Sequence, residues 1–207
     1  MGKTKKAAYF WTTYSDFMSS LFFVMLVLFV LTIVLLFKRI NATERELAKI
    51  KEINASIEKI DNDYFEYDQK YKRHTLKNIQ VAFNVNSSNI NDIDEADRQR
   101  LKEAGKAIVN FMKEAHRDLP EAKYLLIIEG QSSKDGYKYN YRLSYERALS
   151  LVQFWSENNI VFDNLPCEVI ISGSGQASSF RLLPDNRSNK KNQRFVIHII
   201  PKPGIIE

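Results

Sequence analysis

Apolar positions are first concentrated in one unbroken stretch. Residues 17–37, FMSSLFFVMLVLFVLTIVLLF, carry no charge over 21 positions. A helix needs about 20 such residues to cross a bilayer core. The pattern predicts a membrane-spanning helix over 11–37, preceded by a short tail, 1–10. A cleaved secretory leader is the alternative, but its apolar core is usually about 7–15 residues and ends at a small-residue cleavage site. This run ends instead in Phe37-Lys38-Arg39-Ile40. Lys3, Lys5 and Lys6 precede it and Lys38 and Arg39 follow it, so charge alone leaves the orientation open.

Between 38 and 75 the pattern changes. This segment has nine basic and eight acidic residues and neither Gly nor Pro. Ile50, Ile53, Ile57, Ile60, Tyr64, Tyr67 and Tyr71 recur in steps of three and four, a narrow heptad seam. The seam predicts a helical linker over 38–75 that pairs with a second copy of itself as a parallel coiled coil. A single amphipathic helix folded back on the following domain is the alternative.

Residues 76–207 alternate shorter signals. Ile79–Val85, Tyr124–Glu129, Cys167–Ser172 and Phe195–Ile200 read as strands, and Asp94–Ala115 and Tyr141–Asn158 as amphipathic helices. Leu101, Ala104, Ile108 and Phe111 line one helix face, as do Leu143, Ala148, Leu151, Val152 and Trp155 the other. The order β-α-β-α-β-β predicts an α+β domain with one mixed sheet and helices on one side.

Composition adds mostly exclusions. One cysteine, Cys167, excludes an internal disulfide framework and a cysteine-based metal site. The net charge of +5 arises from 30 basic and 25 acidic residues. No basic stripe interleaved with aromatics points to nucleic acid. His74, His116 and His198 have no metal-ligand spacing, no serine sits in a G-x-S-x-G setting, and Gly173-Ser174-Gly175 lacks the rest of a P-loop. Neither an enzyme nor a cofactor site is expected.

Two segments remain that carry chemistry. Asp16 is the one charged residue between Lys6 and Lys38, and Tyr9, Phe10, Trp11 and Tyr14 precede it. As an interfacial acid it favours the helix N-terminus. If the helix begins earlier, Asp16 lies within the membrane, where a carboxylate costs about 2.5–3.5 kcal/mol at the centre and serves ion transfer. The second segment is Tyr139-Asn140-x-x-Leu143-Ser144-x-x-Arg147-Ala148.

Both segments carry a resemblance. Trp11-x-x-Tyr14-Ser15-Asp16-Phe17-Met18 and the Phe-rich run behind it resemble the start of MotB-type stator subunits. There the aspartate carries a proton or sodium ion. The 139–148 segment resembles the N-x-x-L-S-x-x-R-A motif of OmpA-like peptidoglycan-binding domains. Gly130, Gly136, Gly173-x-Gly175-Gln176 and Asn192-Gln193-Arg194-Phe195 fall in that family's order. Over about 80–200 the resemblance implies an OmpA-like fold, with Tyr139, Asn140, Leu143 and Arg147 at the wall-binding site. Leu143 and Ala148 are the packing members, and Asn140 and Arg147 the contacts. The usual G-H-T-D is here Gly130-Gln131-Ser132-Ser133, which lacks the acid, and Asp135 is the nearest replacement.

The resemblance further implies a homodimer within a ring of MotA-like or ZorA-like membrane subunits. It implies an inner-membrane location, with a cytoplasmic N-terminus and a periplasmic domain anchored to peptidoglycan. The W-x-x-Y-S-D segment, the short tail and the Y-N-Y-R-L-S-Y-E-R version of the motif look closest to the ZorB subunits of Zorya anti-phage systems. A flagellar stator and a passive wall tether are the other readings.

Overall fold

The computed structural model describes residues 3–58, 60, 63–71, 73–177, 181–187 and 189–202, with the side chains of 3–10 excepted. Two compact units divide between Lys49 and Ile50.

No Gly or Pro interrupts residues 3–57, and this stretch is one helix, α1 (Lys3–Ile57). It contains an apolar window long enough to cross a membrane. Side chains from Trp11 to Phe37 are almost all exposed, as a lipid-facing helix requires. Two hydroxyls within it bond back to the helix itself. Ser20 donates to the Asp16 carbonyl at 2.9 Å and Thr32 to that of Leu28 at 2.7 Å.

The second unit is an α+β domain. The last turns of α1 lead into β1 (Phe65–Asp68) and β2 (Arg73–Leu76). Then follow α2 (Glu95–Asp118), β3 (Tyr124–Gln131), α3 (Asn140–Glu157), β4 (Cys167–Gly175) and β5 (Arg194–Pro201). The sheet order is β1-β2-β5-β3-β4. Among the described strands only β3 and β4 pair in parallel, and α3 makes the crossover between them. Alternation along the strands sends Tyr124, Leu126, Ile128, Phe195, Ile197 and Ile199 into the core with Leu101, Ile108 and Met112 of α2 and Leu151 and Trp155 of α3. The Trp155 indole donates to the Leu101 carbonyl at 2.8 Å, which joins the two helices. Cys167 is a free, half-buried thiol whose pKa burial pushes up to about 11.

Two expectations are corrected here. The heptad seam is not a helix to residue 71, because α1 ends at Ile57 and Tyr67 lies in a strand. Phe65 and Tyr67 alternate at the two-residue period that suits a strand. Asp68 closes the hairpin by accepting the Lys70 and Tyr71 amides at 3.1 and 3.2 Å. Ile53, Ile57 and Ile60 are 7%, 2% and 2% exposed and belong to the domain's own core. The seam therefore folds back on its own chain and leaves no isoleucine stripe for a coiled coil. The segment 79–85 is not a strand either. Asn78 (φ 56°) turns the chain away after β2, and Asn86 (φ 58°) turns it again. Val81 and Phe83 still pack inward, so the alternation was real but forms no ladder.

His74 on β2 is fully buried, with the Phe65 and Tyr67 rings 6.0 and 4.9 Å away. Burial pushes its pKa down to about 4, against the Ile57 carbonyl, while His198 reinforces the shift. In the unfolded chain an imidazole titrates near 6.5. Its stabilising contribution is therefore complete above about pH 6.5 and is lost as pH falls through about 4. Denaturant unfolding between pH 7 and 4 should lose about 3 kcal/mol from this group. His74→Phe should flatten that window. Glu129 adds to the loss only at the acid edge of that window, because its carboxyl takes up a proton near 4.5 in the unfolded chain. Burial would raise its pKa, but bonds from His198, Ser174 and Gln131 hold it at about 2.

Candidate functional site

Three glycines set α3 directly on the ends of the parallel pair β3–β4. A Cβ on Gly130 would stand 2.0 Å from the Ser144 carbonyl oxygen, and one on Gly173 2.4 Å from the Tyr145 nitrogen. Gly175 takes a positive φ of 56° beneath Tyr141. Ser144 is fully buried, accepts the Gly175 amide at 2.9 Å and donates to the Tyr141 carbonyl at 2.8 Å. Leu143 (7% exposed) and Ala148 (0%) pack beside it. These members of the motif dock the helix.

The polar members converge at its N-terminal end. Asn140 is the first residue of α3, and its Nδ2 donates to Asp135 Oδ1 at 2.9 Å. The Tyr137 amide donates to the same oxygen at 2.9 Å. Burial raises the Asp135 pKa, but these bonds outweigh it and hold the carboxyl below its usual range. Asn140 Oδ1 is buried and has no partner among the described residues. Tyr139 caps the helix without a side-chain bond and stays exposed, its ring edge-on to Tyr137 at 5.7 Å.

Arg147 lies two turns further on, 3% exposed. Its Nε donates to the Ser87 carbonyl at 2.9 Å, and its guanidinium stacks 4.5 Å from the Phe83 ring centroid. Burial pushes its pKa down to about 10, against the opposing pull of Asp135 and Asp92. It remains a cation at neutral pH. Asp92 is fixed in turn by Asn84, whose amide and side chain reach it at 3.1 and 2.7 Å. Its pKa is lowered, chiefly by a bond from Ser87.

The fold thus brings Asn140, Arg147 and Asp135 into one neighbourhood. A buried guanidinium beside a carboxylate suits a ligand that carries both a carboxylate and an ammonium. Ser133, where the motif usually has its acid, is buried and accepts from Gln193 Nε2 at 3.0 Å. That position is neutral. Phe83, Ser87 and Asp92 were missed by sequence reasoning. The Asn- and Ser-rich run 84–89 was a signal for a turn, but nothing local tied it to Arg147, sixty residues away.

Asp16 belongs to the other unit. At about 100° per residue, Thr12, Thr13, Ser15, Asp16, Ser19 and Ser20 share an arc of about 160° on α1. Trp11, Tyr14, Phe17, Met18, Leu21 and Phe22 occupy the rest, with Trp11 and Tyr14 edge-on at 6.2 Å. Over residues 11–22 Asp16 lies inside this polar arc among hydroxyls, and Phe23 closes the arc on its C-terminal side.

No protein-family profile matches the chain, and no curated protein matches it in sequence. Solved structures do. The periplasmic domain of Helicobacter pylori MotB (residues 97–256) aligns at 16% identity and a TM-score of 0.46, covering 67% of this chain and 88% of that one. The OmpA-like domain of FopA1 from Francisella tularensis subsp. tularensis SCHU S4 aligns at 16% and 0.42, covering 66% and 79%. The peptidoglycan-associated lipoprotein from Burkholderia pseudomallei aligns at 15% and 0.39, covering 59% and 88%. Identities this low concern the backbone and say nothing of side-chain chemistry.

Proposed function

We propose that this chain is a MotB-like subunit of an ion-driven membrane motor, held to the cell wall by its α+β domain. The observation that carries the anchor is the Asp135–Asn140–Arg147 neighbourhood at the start of α3. A peptide stem bearing diaminopimelate presents a carboxylate for Arg147 and an ammonium for Asp135. Asn140, with an unpartnered buried carbonyl oxygen, supplies a further acceptor. Asp135 takes the place of the acid absent at Ser133.

The motor reading rests on Asp16. A lone carboxylate among hydroxyls on one face of an apolar helix is matched to a protein or water surface, not to lipid. A single span cannot enclose an ion path, so a ring of MotA-like or ZorA-like partner chains supplies the other wall. Moving one charge through 100 mV is worth about 2.3 kcal/mol, and the anchor holds this chain still while the partners turn. In this reading two copies of the span sit within the ring. The N-terminus is cytoplasmic and the domain periplasmic, and the carried ion is a proton or sodium. Among such motors the segment around Asp16 favours a ZorB role in phage defence over a flagellar one.

Sedimentation with purified sacculi tests the anchor. Arg147→Ala or Asn140→Ala should abolish co-sedimentation with the fold intact by circular dichroism, each losing about 1.5–3 kcal/mol of charge-assisted hydrogen bonding. Unchanged sedimentation in both variants would refute wall binding at this site.

A further inference from the structure

Beside the start of α3 lies a group of polar side chains that the Asp135–Asn140–Arg147 neighbourhood does not use. Its centre is Arg181, whose side chain is 6% exposed. Nε donates to Asp185 Oδ1 at 2.6 Å and Nη1 to the Ser132 carbonyl at 2.9 Å, with the Gly175 carbonyl 3.5 Å away. Nη2 is buried and has no hydrogen-bond partner. The Ser132 hydroxyl and the side-chain carbonyl of Gln176 are buried without a partner as well. These three atoms belong to residues that meet at one turn, where the Ser132 amide donates to the Gly175 carbonyl at 3.0 Å.

Buried polar groups are nearly always paired, and a charged donor left unmade is costly. The local charge points to what completes this group. Asp185 also holds Lys134, at 3.5 Å, so among the described residues one carboxylate serves two cations. Asp135, next to Lys134 in the chain, is taken by Asn140 and the Tyr137 amide. The first turn of α3 carries no acid and no side-chain cap. It abuts the same turn, since a Cβ on Gly175 would lie 3.1 Å from the Tyr141 nitrogen. A helix start adds partial positive charge. An excess cation, two unmade donors and a helix start all favour an anion, and a planar guanidinium suits a carboxylate. Lys134 and Asp185 have 54% and 21% of their side chains exposed, so the group reaches solvent on that side.

We infer that Arg181 and Ser132 form a further carboxylate subsite, which reads a second carboxylate on the peptide stem that Arg147 binds. The subsite rests on the wall-binding reading, because its ligand is the same stem. Arg181 engages the carboxylate through Nη2, the Ser132 hydroxyl donates to it, and Gln176 accepts the adjoining peptide N–H. Lys134, the exposed member, moves aside on entry. Asn140 borders both subsites, since a Cβ on Gly175 would lie 3.3 Å from its carbonyl carbon. Neighbouring residues of one stem therefore span them. Two sources share this chemistry, the free α-carboxylate of the γ-linked glutamate that precedes diaminopimelate and the C-terminal carboxylate of the stem.

Calorimetric titration of the full-length chain in uncharged detergent tests this with L-alanyl-γ-D-glutamyl-meso-diaminopimelate and its two monoamides, one at the glutamate and one at the C-terminus. One monoamide should bind more weakly than the parent by about tenfold or more, and which one it is names the source. Arg181→Gln should weaken the parent by a similar factor and bind parent and that amide alike. Ser132→Ala leaves the Arg181–Asp185 pair in place and should narrow the same discrimination. It decides the matter if Arg181→Gln fails to fold. Equal affinity of the wild type for the parent and both monoamides would overturn the subsite, as would a discrimination undiminished in every folded variant. Parent binding that Arg147→Ala abolishes, with no discrimination between amides, leaves the anchor standing and removes the subsite alone. No binding of the parent by the wild type removes both.

Discussion

Asp16→Asn is expected to abolish the output of the assembled motor while leaving expression and partner association near wild type. Asparagine keeps the size of the side chain and much of its hydrogen bonding, but it cannot release a proton at any physiological pH. An ion carrier must alternate between charged and neutral or ion-paired states as the surrounding ring moves past it. An interfacial acid that merely favours the helix N-terminus predicts a far smaller change, about 0.3–1 kcal/mol of stability with activity retained. The polar arc of Thr12, Thr13, Ser15, Ser19 and Ser20 should survive the substitution, so the helix face itself remains. Phage protection is the assay for a ZorB-like role and swimming for a flagellar one. Activity retained by Asp16→Asn in both would leave a passive wall tether.

Gly130→Ala should produce a large loss of stability in the α+β domain. The added carbon would lie 2.0 Å from the Ser144 carbonyl oxygen and 2.9 Å from its carbon, both backbone atoms of α3. No rotamer change relieves such a contact. Either α3 lifts from the sheet or β3 bends, at a cost of about 3 kcal/mol or more. Lifting α3 also breaks the bond from the Gly175 amide to Ser144 and shifts Asn140 relative to Asp135. Thermal unfolding should show the stability loss, and sacculus binding should fall with it. Gly136→Ala is the contrasting control. Nothing lies within 4 Å of its added carbon, so its cost is the strain of a φ near 79°. Equal stability of Gly130→Ala and wild type would mean that α3 does not rest on the strand in this way.

The parts of the domain that were legible in the sequence are those whose signals are local. Tyr124–Gln131 is an apolar run ended by glycine, and it is a buried central strand. The segment from Asn140 to Ala148 was legible as one helical stretch, with Leu143 and Ala148 as packing members, and both are buried. The hairpin was less legible because Tyr64, Tyr67 and Tyr71 fit a helical step of three and four as well as a strand and turn. The choice is made at long range, where β2 pairs with β5 at His74–Ile197 and Thr75–Val196. The alternation at Ile79, Val81 and Phe83 reported burial correctly and pairing wrongly. Periodicity records which side chains face inward, whereas a ladder needs a neighbouring strand with free amides. The Arg147 surroundings were half visible for the same reason. Asn140 and Arg147 lie within one motif, while Ser87 and Phe83 reach it from across the fold.

Ile53, Ile57 and Ile60 close this chain's own core, and that choice changes what kind of dimer is available to it. A coiled coil would have drawn its strength from water released along an isoleucine stripe and would have made the pair close to obligatory. With that stripe sealed inside each copy, the pairing expected of two spans falls to helices bathed in lipid. Lipid tails solvate leucine as well as another leucine does, so no comparable driving force exists there. What remains is close packing and the matching of a few hydroxyls. In the proposed motor such a pair would be a lateral equilibrium, set by surface density in the membrane and by the proposed ring of partner chains. Two copies would separate on dilution into detergent and re-form on reconstitution, each arriving with its α+β domain already folded.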